Sequence, residues 1–216
     1  MPYDAALFDL DGTLLDTLAD LSAAANHALT TLGRPTHPRE AYNTFLGQGV
    51  RELFVDALGP DHQHLIDDAI HAHLAYYADH RLDTTGPFPG IDAMLDQLAQ
   101  RGVKLGVLSN KPDPVTREMI PHFFPHADWA YVRGHRAGTA PKPDPHAALE
   151  AIDTLGIPAD RWLYVGDTAV DMQTGKGAGM FTVGVSWGFR SVEELRAHGA
   201  DAIVDDPAEL VALLEG

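Results

Sequence analysis

The chain has 216 residues, 45% hydrophobic and 21% charged, an ordinary globular mix with room for one sizeable core and a smaller appendage. Lys and Arg number 15 against 31 Asp and Glu, a formal charge of −16, which argues against nucleic acid or an anionic membrane as partner, since both are bound by cationic surface. The absence of cysteine excludes a disulfide framework, a thiolate zinc site and a cysteine nucleophile. The chain does not open on a basic segment followed by a long apolar one, and no apolar run nears the roughly 18 residues that span a bilayer. The expectation is a soluble, cytoplasmic protein, monomeric or homodimeric, that acts on a small molecule.

An apolar run from Ala5 to Phe8 reads as a short buried strand. The period then becomes helical. Leu18, Leu21, Ala25, Ala28, Leu29 and Leu32 recur at three- and four-residue steps, with Asp16 or Thr17 as N-cap and Gly33 as stop. Pro38 suits the first position of a second helix carrying Tyr42, Phe45 and Leu46. After the Gly47-Gln48-Gly49 break come a short helix over Val50 to Leu58 and a long one with Leu65, Ile66, Ala69, Ile70, Leu74 and Tyr77 on one face. No strand pattern occurs between about residues 17 and 82, so an all-helical block is expected there.

Gly86-Pro87-Phe88-Pro89-Gly90 reads as a linker. Beyond it, helices are expected over Ile91 to Ala99, Pro114 to Ile120, Pro145 to Leu155, Val170 to Ala178, Val192 to His198 and Pro207 to Leu214. Strands are expected over Val103 to Leu108, Trp129 to Val132, Trp162 to Val165, Phe181 to Val185 and Ala202 to Val204. Such alternation implies right-handed βαβ crossovers and a parallel sheet. The predicted fold is α/β: a doubly wound, Rossmann-like core from residues 1–16 and 84–216, with a helical cap, residues 17–83, inserted after the first strand.

In open α/β sheets ligands bind beyond the carboxyl ends of the strands, and chemically useful residues cluster there in this sequence. Asp9 and Asp11 follow the first strand, Ser109-Asn110-Lys111 the second, and Gly166-Asp167 the Trp162 strand, with Asp171 four residues on. Lys142-Pro143 stands just before the Pro145 helix. Side chains at i and i+2 of a strand share a side, so Asp9 and Asp11 are expected to reach one space. Each residue has a plainer reading. The Asp-rich turn could be solvated, Ser109 or Asp167 a helix cap, Lys142 a surface lysine, Asp171 a first-turn acid favoured by the helix dipole. Together they suggest an oxygen-rich cluster of Asp9, Asp167 and Asp171 for a hard ion such as Mg²⁺, with Lys142 as a positive charge for phosphate.

These residues carry a family resemblance. Asp9-Leu10-Asp11-Gly12-Thr13, Leu108-Ser109-Asn110, Lys142-Pro143 and Gly166-Asp167 with Asp171 resemble the four motifs of haloacid-dehalogenase (HAD) superfamily phosphatases. The resemblance implies that Asp9 is a nucleophile forming an aspartyl-phosphate and Asp11 the general acid and then base. It implies that Mg²⁺ is bound by Asp9, the Asp11 carbonyl and Asp167, with Asp171 assisting. Ser109, Asn110 and Lys142 would bind phosphate, and Thr13 would order the loop. The helical block and Gly47-Gln48-Gly49-Val50-Arg51 are similar to the cap and cap loop of phosphoglycolate phosphatases, as are Ser109-Asn110-Lys111 and Pro87-Phe88-Pro89-Gly90. On this likeness Gly47, Gln48, Gly49 and Arg51 are substrate-loop candidates, with Arg51 meeting a substrate carboxylate or standing as an exposed helix residue.

The expected activity is Mg²⁺-dependent hydrolysis of a small anionic phosphomonoester, 2-phosphoglycolate first. Asp11 serves an oxygen leaving group, which disfavours dehalogenation. A phosphonatase needs a cap lysine, and residues 17–86 contain none. A phosphosugar mutase, pyrophosphatase or nucleotidase remains open, as does a non-catalytic binding protein of this fold. The 12 histidines include pairs two apart, His62/His64 and His71/His73, which a helix places on different faces, so no transition-metal site is expected.

Overall fold

The computed structural model describes residues 3–214; the outer ends of the expected domains, 1 and 216, lie outside that range. The chain divides into two compact units, one made of the residues up to Leu14 and from Pro87 onward, the other of Leu15–Gly86.

The first unit is built on six parallel strands: β1 (Ala5–Phe8), β4 (Lys104–Pro112), β5 (Trp129–His135), β6 (Trp162–Gly166), β7 (Phe181–Val185) and β8 (Ala202–Val204). Their order is β5-β4-β1-β6-β7-β8. The first strand is central, in register with β4 through Ala5–Lys104 to Phe8–Val107 and with β6 through Ala5–Trp162 to Phe8–Val165. All four of its residues are fully buried, which is why this strand reads as a continuous apolar run and not as an alternating one. Helices α5 (Ile91–Gln100), α6 (Asp113–Phe123), α7 (His146–Leu155), α8 (Ala169–Gly177) and α9 (Val192–Ala197) lie between the strands, and α10 (Pro207–Ala212) follows the last of them. On α7, Ala147, Ala148 and Ala151 pack with Leu7, Leu108, Trp162 and Tyr164 in one buried cluster. Small residues on that face let helix and sheet approach closely.

The second unit holds α1 (Leu18–Thr31), α2 (Tyr42–Phe45), α3 (Val50–Leu58) and α4 (Ile66–His80). Its core packs α1 and α3 on α4. Asp20 on α1 accepts hydrogen bonds from the N–H and hydroxyl groups of both Thr84 and Thr85, joining the two ends of this segment. Burial raises the Asp20 carboxyl, but these donors hold it below the usual range.

Several expectations shift. Leu15–Asp16 and Gly86–Pro87 form a two-stranded ribbon, β2 and β3, where a helix-cap candidate at Asp16 and a linker were expected; two residues are too few for a periodic signal. Asp16 accepts the Leu18 N–H at 3.2 Å, while Thr17 caps without a side-chain bond. Pro38 precedes a short 3₁₀ turn, Arg39–Ala41, instead of opening the helix, and another 3₁₀ segment, Pro60–Leu65, precedes α4. The second and third core strands run on to Pro112 and His135. Among the described residues, no helix is long and apolar enough to cross a membrane.

Candidate active site

The carboxyl end of β1 carries Asp9, whose N–H donates to the Val165 carbonyl at 2.9 Å, extending the sheet pairing by one residue. Its Oδ1 accepts the Leu10 N–H at 2.7 Å and stands 2.9 Å from Lys142 Nζ. The chain then turns at Gly12, φ +83°; a Cβ there would fall 2.3 Å from Asp167 Oδ2, so both backbone and space demand glycine. Asp167 ends the segment after β6, and its Oδ1 accepts the Thr13 hydroxyl at 3.1 Å.

At the start of α8 the two oxygens of Asp171 have different partners. Thr168 is the N-cap of a capping box, with Asp171 Oδ2 accepting its N–H at 3.1 Å and its hydroxyl at 2.7 Å. The other oxygen, Oδ1, faces Lys142 Nζ at 2.7 Å. Asp9, Asp167 and Asp171 are all buried, and one oxygen of each lies within 4.8 Å of the others.

Lys142 Nζ also donates to the Leu108 carbonyl at 3.1 Å. Three oxygens thus surround an ammonium that has three protons, so its N–H groups are taken up within the site. Its position is fixed by Asn110, whose Oδ1 accepts the Lys142 N–H at 2.8 Å and whose Nδ2 donates to the Lys142 carbonyl at 3.1 Å. The Asn110 side chain thus clamps the lysine loop by both ends of its carboxamide. Ser109 is buried, and its hydroxyl accepts the Lys111 N–H at 3.2 Å.

Three carboxylates against one lysine leave an excess of negative charge in a buried place. Burial first, and then Asp171 and Asp11 against the opposing pull of Lys142, push the Asp9 carboxyl up to about 7. Burial, Asp171 and Asp9 likewise drive Asp167 well above the usual range. Burial opposes the charge on Lys142, yet Asp171 and Asp9 raise its affinity for the proton. Such a cluster is tolerable with protons or with a divalent cation in it, and all-oxygen donors suit a hard ion.

Two features escaped the sequence reading. Lys111 Nζ grips Asp11 at 2.8 and 3.0 Å. Behind Asp167, the Phe189 N–H donates to its Oδ2 at 2.8 Å, Gly188 leaves no room for a Cβ (2.2 Å from the Asp167 Cβ), and Trp187 Nε1 donates to the Thr13 carbonyl at 3.0 Å. The only signal was a glycine between aromatics beyond the end of β7. In the second unit, Gly47, Gln48 and Gly49 lie between α2 and α3, and the exposed Arg51 pairs with the still more exposed Asp67 of α4.

The family model "Haloacid dehalogenase-like hydrolase" matches residues 6–185. A Pseudomonas putida phosphoglycolate phosphatase is 34% identical over 97% of this chain and 78% of its own. An N-acetylmuramic acid 6-phosphate phosphatase from Pseudomonas aeruginosa is 31% identical over 100% of this chain and 96% of its own. The solved structure of a Lactobacillus delbrueckii subsp. bulgaricus protein with a provisional phosphoglycolate phosphatase name superposes with TM-score 0.94 at 36% identity, covering 99% of both chains. The chain belongs to the haloacid dehalogenase-like hydrolase family and is one of its phosphatases.

Proposed function

We propose that the enzyme hydrolyses a small anionic phosphomonoester, 2-phosphoglycolate first, through an aspartyl-phosphate on Asp9, with Asp11 as general acid and base. The observation that carries this reading is the convergence of Asp9, Asp167 and Asp171 within 4.8 Å of one another, with the Lys142 ammonium against two of them, Asp9 and Asp171. The Asp9 carboxylate attacks phosphorus, and its plane is held by Leu10 N–H and Lys142. Asp11 protonates the departing oxygen and then takes a proton from the attacking water. Ser109 and nearby main-chain N–H groups receive the phosphoryl oxygens, with Lys142 supplying charge. Thr13 acts behind them by holding Asp167.

Magnesium fits the donors: Asp9, Asp167 and the Asp11 carbonyl would hold it, and it would neutralise the crowded carboxylates and the phosphate. Asp171 has both oxygens engaged, by Thr168 and Lys142, which supports an indirect role. The helical segment is read as a cap carrying Gly47, Gln48, Gly49 and Arg51 to the substrate, on motif resemblance. An exposed ion pair such as Arg51–Asp67 contributes little, so Arg51 can exchange Asp67 for a substrate carboxylate. The second reading, N-acetylmuramic acid 6-phosphate, is favoured by the P. aeruginosa relative of nearly equal length.

Phosphate release from a panel containing both esters and p-nitrophenyl phosphate tests the choice. The expected result is the highest kcat/KM with 2-phosphoglycolate, and a KM for it at least about tenfold higher in Arg51→Ala, with the aryl ester little changed. A sugar phosphate preferred over the two-carbon acid overturns the substrate, and equal effects on both esters remove Arg51 from recognition. Gly188→Ala is expected to push Asp167 out of place and to weaken Mg²⁺ activation about 10–100-fold. Unchanged activation by titrated Mg²⁺ would count against Asp167 as a ligand.

A further inference from the structure

Next to Asp11 the phosphatase mechanism leaves a buried charge unused, that of Lys111. The Lys111 side chain is 4% exposed, and it ends against both oxygens of Asp11, whose side chain is 17% exposed. An ammonium is costly to desolvate, and a buried ion pair is a poor stability device that well-packed apolar groups often replace without loss. The lysine is held from behind as firmly as it holds. Its N–H donates to the Ser109 hydroxyl at 3.2 Å and its carbonyl accepts the Thr116 hydroxyl at 3.3 Å. Asn110, one residue before it, is clamped to Lys142 by both ends of its carboxamide. The end of β4 is thus a rigid bracket. Asp11, by contrast, stands just before the turn at Gly12, and both oxygens of its carboxylate accept hydrogen bonds from Lys111.

We propose that Lys111 is the positioning residue for acid–base catalysis: it aims the Asp11 carboxyl at the leaving and entering oxygens. This rests on the phosphatase reading. In the first step the Asp9 Oδ–P bond forms, the bond from phosphorus to the leaving oxygen breaks, and the Asp11 proton passes to that oxygen, giving the free alcohol. In the second, the oxygen of water bonds to phosphorus, its proton passes to Asp11, and the Asp9 Oδ–P bond breaks. Lys111 serves both. It can hydrogen-bond one oxygen while the other carries the proton, and both when the proton has gone. A hinged acid with no such brace loses the geometry that proton transfer needs.

The role predicts a dependence on the leaving group. An alkoxide must be protonated as it departs, whereas p-nitrophenolate leaves unaided. Lys111→Met, which keeps the length and loses the ammonium, should lower single-turnover cleavage of an alkyl phosphomonoester about 100-fold with KM within about threefold. It should cleave p-nitrophenyl phosphate in the first turnover at close to the wild-type rate, then stall. Rapid mixing should therefore show a burst of one p-nitrophenolate per active site in the variant, and none when Asp9→Asn is added. If Lys111→Met does not fold, judged by circular dichroism, Lys111→Gln is read by the same split. Equal losses on both esters without a burst, unchanged alkyl turnover, or a rise confined to KM each overturn the proposal while the phosphatase reading stands. A wild-type protein that releases no phosphate from any ester overturns that reading, and this one with it.

Discussion

Asp9→Asn is expected to lower phosphate release by at least about 10⁴-fold and to leave the metal-free protein at least as stable as wild type. The two halves have one cause. Asparagine keeps the shape of the side chain and an oxygen to accept the Leu10 N–H, but it cannot form a phosphoester. It also removes one carboxylate from a buried cluster of three that has a single lysine against it. The rise of the Asp9 carboxyl to about 7 signals that the folded state resists this charge, so relief should raise Tm in EDTA by a few degrees. Lys142 retains Asp171 at 2.7 Å, so the substitution does not strand a buried cation. Phosphate release and thermal melting check the two halves. A residual rate within tenfold of wild type would sink Asp9 as nucleophile. A fall in Tm would show that the Asp9–Lys142 pair stabilises the fold more than the excess charge strains it.

The positions of the chemical groups were more legible than their jobs. The central strand, Ala5 to Phe8, is buried on both faces, and its unbroken apolar run announces that. Residues after such strands fall at the carboxyl edge of the sheet, so Asp9 and Asp167 could be located from order alone. Asn110 could not be understood this way, because its partners are the main-chain atoms of Lys142, 32 residues on. The contact of Lys111 with Asp11 was hidden by a different effect. Polar Ser-Asn-Lys and a proline read as a break after Leu108, whereas pairing as far as Pro112–His135 keeps the strand going and turns the lysine inward. A register shift between Leu108 and Pro112 accompanies the extension, and periodicity cannot foresee such irregularity. Trp187, Gly188 and Phe189 act through main-chain and indole N–H groups and a missing Cβ, which composition does not reveal. In the second unit the helices were visible, but the 3₁₀ turns at Arg39–Ala41 and Pro60–Leu65 are too short to distinguish from helix starts.

Removing divalent metal should make the enzyme inactive and also reverse the usual response of its carboxylates to pH. Asp9 at about 7 and Asp167, also raised, hold protons in the folded state that an unfolded chain has released by about pH 4–5. Their contribution to stability is fully present below the unfolded pKa and is lost as pH rises through the folded one. In EDTA, Tm should therefore fall between about pH 5.5 and about pH 8. Asp113 and Asp201 oppose this only at lower pH. Burial raises their carboxyls, but hydrogen bonds from Gly134 and Arg117, and from Lys176 and Thr182, hold both below the usual range, so their stabilisation is lost only as acid protonates them. Magnesium competes with protons for the same oxygens, so its stabilisation should be larger at about pH 8 than at about pH 5.5. At a hundredfold excess over Kd the gain is about 2.7 kcal/mol, roughly 5–10 °C for a chain of this size. Calcium, larger and tolerant of more ligands, should restore part of the Tm without restoring turnover. Melting curves across this pH range with EDTA, Mg²⁺ and Ca²⁺ decide the matter. A flat EDTA profile, or a Mg²⁺ gain that grows toward acid, would mean that these three carboxylates do not share a cation.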